Sequence, residues 1–116
     1  MDKSDRQRLL HIRQHCTDVA EFIRRFGEDY DTFENDRVFF NAVAMSILQV
    51  GELSGGLSEG FRSSTAAEMP WAMIRGMRNL LAHAYGEIDA VMLWDTARND
   101  IPKVLKFCER YLQDNE

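Results

Sequence analysis

PWAMIRGMRNLLAHAYG, residues 70–86, is the stretch on which the reading of this chain turns. Pro70 suits a first helical turn, where its missing N–H has no intrahelical role. Gly86 is a natural terminator. On a wheel of about 100° per residue, Met73, Ile74, Met77, Leu80, Leu81 and Ala84 fill one continuous arc. That arc predicts the core face of an amphipathic helix. Arg78 and Tyr85 sit beside its edge, nearly in line with each other. Arg75 follows, then Asn79, and His83 lies furthest round. Trp71 shares the arginines' side.

A helix with one apolar stripe needs other helices to bury it, and the flanking sequence supplies them. Leu9, Ile12, Cys16, Val19, Ile23 and Phe26 recur at steps of three and four. They predict a helix from about Asp5 to Phe26, capped by Ser4 and stopped by Gly27. GEDYDTF reads as a connection. Asn35 or Asp36 then caps a dense apolar helix containing Phe39, Val43, Met45, Ile47, Leu48 and Val50. Gly51 inside it costs about 1 kcal/mol relative to alanine, a cost explained by close approach of another backbone. GELSGGLSEGFRSS then frays into a loop somewhere between Gly55 and Gly60. Beyond Gly86, Asp89 caps a last apolar-striped segment that Pro102 either kinks or splits. With short connections throughout, the expectation is one all-α domain over 1–116, an up-down bundle of four to five helices.

Composition bounds the function. A net charge of −5 argues against a protein that coats nucleic acid through a broad basic stripe, but not against an enzyme with a small basic site. No apolar run approaches a membrane span, and the charged start MDKSDRQRLL lacks a signal-type apolar stretch, so the expected compartment is the cytoplasm, with no membrane partner. Cys16 and Cys108 lie on apolar faces and read as small buried hydrophobes. His11 and His15, four apart, have the spacing to share a metal, but no third ligand accompanies them. No metal or cofactor is expected. Arg24, Arg25, Lys103, Lys106 and Arg110 read as exposed helix charges, and Trp71 and Trp94 as core or dimer contacts.

Arg78 and His83 together have a chemical use. Histidine exchanges protons near neutral pH. Arginine offers a planar fork that fits a phosphate. The pair can cleave RNA without a metal: the 2′-OH attacks phosphorus, histidine moves a proton, and arginine stabilises the added negative charge. Glu52, beside Gly51, is placed to pair with Arg75 or Arg78. On a straight helix Arg78 and His83 stand about 140° apart. A second copy across a two-fold axis would bring two of each into one cleft. On spacing alone, a solvated helix end accounts for such a pair at least as well.

The wider pattern resembles the HepT-like toxin family of the HEPN superfamily. Its Arg-Asn-x3-His-x-Tyr form of the R-x4-6-H motif reads here Arg78, Asn79, Leu80-Leu81-Ala82, His83, Ala84, Tyr85. QVGELSGGLS is similar to the family's Gly-Glu segment, MPWAMIRGMRN to its Pro-Trp approach, and GEIDAVMLWDTARNDIPKVL to the stretch after the motif. The resemblance implies a homodimeric bundle and a ribonuclease with Arg78 and His83 catalytic and Asn79 supporting. It also implies a minimal nucleotidyltransferase antitoxin (MNT, MntA-type) that transfers AMP to Tyr85. The phosphate so added is expected beside Arg78. The alternatives are a non-catalytic HEPN subunit that docks a nucleotidyltransferase, and a plain helical interaction protein.

Overall fold

Helix α1 (Lys3–Phe26) is capped by Asp2, whose carboxylate accepts from the Ser4 N–H at 2.6 Å. Ser4 is therefore inside the helix rather than its cap. Gly27, at φ 111°, closes the helix by donating its N–H to the Ile23 carbonyl; a side chain there would be strained. Leu9, Ile12, Cys16 and Val19 form the buried stripe. The expected connection after Gly27 instead contains a short helix, α2 (Tyr30–Asn35). Asp29 caps it through Thr32, and it sends Phe33 fully into the core.

Asp36 caps α3 (Arg37–Gly55) by accepting from the Val38 and Phe39 N–H groups. By length and hydropathy α3 would pass for a membrane span, but Phe39, Val43, Ala44, Ile47 and Val50 are buried in this bundle. It is the central helix, packed against α1 on one side and α5 (Trp71–His83) on the other.

The stretch after α3, expected to be a loop, folds into α4 (Glu59–Thr65). A tertiary contact makes it possible: buried Asp5 of α1 accepts from the Ser58 N–H and Oγ at 2.7 and 2.6 Å, while Ser58 Oγ accepts from Phe61. After α5, a 3₁₀ turn (Tyr85–Glu87) leads to α6 (Ala90–Asp95), which Asp89 caps. Pro102 does not break the last apolar-striped segment, whose backbone stays helical at Asp95, Thr96 and Ile101. A π turn (Thr96–Asp100) joins α6 to α7 (Ile101–Asp114), in which Pro102 is the second residue. The wide turn removes the clash between the proline ring and the carbonyl four residues back.

The computed structural model describes residues 1–114; among them the chain is helical, with no strand. α7 packs along α1, and its Phe107 meets Trp71 at the start of α5. Phe33, Phe39 and Trp94 interlock, with Phe33 and Trp94 centroids 4.8 Å apart. Cys16 and Cys108 are free and buried; burial pushes the Cys108 thiol up to about 12 and Cys16 further in the same direction, so both are inert apolar residues.

Gly51 is buried because α5 crosses α3 there. A Cβ on Gly51 would collide with the Arg78 side chain and lie 3.3 Å from the Arg78 Cα. Gly51→Ala is expected to destabilise the fold by about 1–3 kcal/mol through overpacking. Gly60→Ala, on open space in α4, should be neutral or stabilising by up to about 1 kcal/mol. Paired thermal denaturation curves check both; equal melting temperatures would remove the close approach as the reason for Gly51.

Candidate active site

α5 is an edge helix whose principal contact is α3. Its first turn also meets α4 and α7 through Trp71, but the expected core face is only partly realised. Leu81 is buried, and Ile74 and Met77 are half-buried. Met73 and Leu80, expected in the core, are 50% and 41% exposed. Arg78 belongs to the α3 contact: its Cβ and Cγ cover Gly51.

From that position the Arg78 guanidinium reaches along α3. Its Nε donates to Glu52, and its Nη1 donates to the Asn79 Oδ1 at 3.0 Å. Of the two partners expected for Glu52, the structure thus selects Arg78. Two of five guanidinium donors are held, and three remain to meet a ligand. Glu52 and Asn79 therefore orient the fork rather than block it.

Arg75, one turn earlier, stands beside Gly55 and shares with Arg78, Gly51, Glu52, Gly55 and Gly56 an open pocket of about 310 Å³. The glycines of GELSGG thus have a common use. Gly51 lies under Arg78, Gly55 beside Arg75, and Gly56 beside Arg8 of α1, whose Cζ would be 3.3 Å from an added Cβ. Sequence reasoning gave only Gly51 a reason; the triplet of glycines facing arginines is a tertiary pattern.

His83, the last residue of α5, is exposed and points away from α3 with Ala72, Gly76 and Asn79. Arg78 and His83 do not converge within one chain: one is committed to the α3 contact and the other faces solvent.

Tyr85 departs from its expected place. The helix ends at His83, and Ala84 (φ −137°) turns the chain aside, so the wheel position in line with Arg78 does not apply. The Tyr85 hydroxyl donates to the Asn41 Oδ1, and its ring meets Phe40 edge-on at 6.1 Å. Asn41 and Glu52 are eleven residues apart on α3, about 16 Å along the axis at 1.5 Å per residue. The phenol is thus not beside the Arg78 guanidinium of its own chain. Asn41, which places the tyrosine, carried no signal in the sequence. Burial pushes the Tyr85 phenol above its ordinary value, and Arg37 pulls it partly back. It is 41% exposed and borders an open pocket of about 320 Å³ with Met45, Leu48 and Leu81.

Among the described residues no three His, Cys, Asp or Glu side chains gather as a metal site. His11 is exposed, and the buried Nδ1 of His15 has no hydrogen-bond partner.

Residues 12–111 match the family described as "Ribonuclease HepT-like". The chain is 34% identical over 110 residues to "Putative RNase MJ1380" of Methanocaldococcus jannaschii, covering 94% of this chain and 98% of that protein. It is 32% identical over 111 residues to "Putative RNase TTE0752" of Caldanaerobacter subterraneus subsp. tengcongensis, covering 96% of each. With "Probable ribonuclease HepT" of Thermococcus cleftensis the identity is 30% over 104 residues, covering 90% of this chain and 92% of that one. No solved structure matches significantly.

The Tyr85 phenol should lose its proton above the usual tyrosine range. A spectrophotometric pH titration of the protein minus that of Tyr85→Phe isolates its step; a step at or below the ordinary value of about 10 would contradict the burial described.

Proposed function

The chain belongs to the HepT-like ribonuclease family, and from that premise we propose that it is a metal-independent endoribonuclease working in a cleft shared by two copies. It would act as the toxin of a type VII-like HEPN/MNT toxin–antitoxin pair. The observation that carries this reading is the division of α5. Arg78 is oriented by Glu52 and Asn79 on one flank, while His83 stands exposed on the outward ridge. A second α5 against that ridge supplies the missing partner. The ridge suits such a contact: Ala72 and Gly76 allow close approach, and Met73 and Leu80 expose apolar surface beside them.

The chemistry follows from the residue types. The ribose 2′-oxygen bonds to phosphorus as the bond to the 5′-oxygen breaks, giving a 2′,3′-cyclic phosphate and a free 5′-hydroxyl. His83 of one copy moves the proton, accepting it from the 2′-OH or donating one to the leaving oxygen. The three free donors of Arg78 from the other copy stabilise the charge that builds on the phosphoryl oxygens. Glu52 fixes the fork without touching substrate.

Arg78→Ala and His83→Ala should each abolish cleavage of an RNA oligonucleotide and leave the melting curve near wild type, since alanine retains the Cβ over Gly51 and His83 is exposed. Refolding the two inactive variants together should restore about a quarter of wild-type activity, because half of random pairs are mixed and each holds one intact site of two. No recovery, or a strict monomer by sedimentation, would refute the shared cleft. Activity lost on adding EDTA would refute metal independence.

The proposed regulator is a minimal nucleotidyltransferase that moves AMP from ATP to the Tyr85 oxygen, releasing pyrophosphate. Two features support it: the hydroxyl lies on an exposed turn behind the helix end, and one side-chain hydrogen bond holds it. Because the phenol holds its proton, the transferase must bring a base or a metal. Intact-mass measurement after incubation with the partner, ATP and magnesium should find one AMP per chain, absent from Tyr85→Phe; AMP retained in that variant would move the modification elsewhere.

A further inference from the structure

A second groove adjoins the Arg78 pocket, between α4 and α5. It holds about 450 Å³, within the range of about 300–1,000 Å³ typical of ligand sites. Arg62, Ser63, Trp71, Ala72 and Arg75 line it, together with Glu59. Gly55 and Arg75 border both this groove and the Arg78 pocket, so the two are continuous.

Several arginines elsewhere on the surface are neutralised by carboxylates, though Arg13 and Arg37 are not among the described residues. Arg24 and Arg25 are paired with Glu21, Arg98 with Glu28, and Arg110 with Glu68. Arg62 and Arg75 make no hydrogen bond or ion pair with a described residue, although Glu59 is three residues from Arg62 and lines the same groove. The Arg62 Nε is also buried without an acceptor. A buried donor left unpaired in a folded protein needs an acceptor, which a solvent molecule or a bound group can supply. The Trp71 indole is not free to swing. Its Nε1 donates to buried Thr65 at 2.9 Å, and its ring packs edge-on against Phe107 at 5.5 Å. It gives the groove a fixed apolar surface suited to a ribose or base.

We propose that this groove seats the phosphodiester backbone of single-stranded RNA beside the cut, with Arg62 and Arg75 contacting phosphates next to the one held by Arg78. The proposal rests on the reading of Arg78 as the cleavage centre and names where the flanking strand runs. It explains how a chain of net charge −5 engages a polyanion: the strand meets a local run of arginines, one of them already in the cleavage pocket. Arg62 and Arg75 are positioning residues, since neither reaches the reacting phosphorus.

Fluorescence polarisation of a labelled 2′-O-methyl RNA oligonucleotide, which cannot be cut, separates binding from cleavage. The logarithm of the binding constant falls with the logarithm of salt at about 0.7 per phosphate contact on a single strand. Arg75→Gln and Arg62→Gln should each lower that slope by about 0.7 and weaken binding, and the double variant should lower it by about 1.4. Glu59→Gln should tighten binding by removing a carboxylate from the path. Should Arg62→Gln unfold, Arg75→Gln and Glu59→Gln decide, since both positions are exposed. Unchanged slopes in the arginine variants, or no binding of the oligonucleotide by the wild type, would overturn the groove. Groove-dependent binding by a wild type that never cuts unmodified RNA would instead overturn the nuclease reading and leave the groove standing.

Discussion

The close approach of Arg78 to Gly51 is the constraint from which the site follows. With no side chain on Gly51, the stem of Arg78 can lie against the α3 backbone. That contact sets how far along α3 the guanidinium reaches, and Glu52, one residue on, receives it. The ion pair is half-exposed and worth little to stability, about 0–1 kcal/mol. Its effect is geometric: an arginine on an edge helix is held at one angle, with most of its donors still open. Gly55 and Gly56 extend the same device, letting Arg75 and Arg8 close on the end of α3. Small residues on the central helix thus gather positive charge at one end of an acidic chain.

Much of the fold was legible because local chemistry and tertiary structure agree. Asp36 and Asp89 cap where expected, Gly27 stops α1, and the three-four spacing of Leu9, Ile12, Cys16 and Val19 marks a buried stripe. The misreadings fall where a distant residue decides. α4 has a short, serine-rich sequence of poor propensity, and its cap is held by Asp5, far away in the chain. α2 has one buried residue, Phe33, and no period to detect. The α5 arc was read as core because periodicity reports which face is apolar, not what covers it. Met73 and Leu80 are apolar on a helix with one principal neighbour, so they meet solvent in the single chain.

The same distinction governs the site. Residue types suggested Arg78 and His83, the family resemblance added Tyr85, and the family match spans all three positions. Their relative placement was not legible, since it depends on where α5 ends. A helix continued through Tyr85 would stack the phenol over Arg78. Ending at His83, it sends the tyrosine to Asn41, toward the other end of α3.

That separation changes how a modified Tyr85 would silence the proposed enzyme. Within one chain, AMP on the Asn41 side begins about 16 Å along α3 from the carboxylate that holds Arg78, so a direct clash with that arginine is a weak explanation. A two-fold axis crossing α5 between Arg78 and His83 makes the two copies of the helix antiparallel. A residue about five positions beyond the axis then lies level with one about five positions before it. Tyr85 of one copy comes level with Arg75 and Gly76 of the other, at the junction of the cleavage pocket and the adjoining groove. There an added phosphate would meet the second copy's arginines and occupy the path proposed for RNA. The shared cleft proposed to reconcile Arg78 with His83 would also bring a modified Tyr85 within reach of the site it would block.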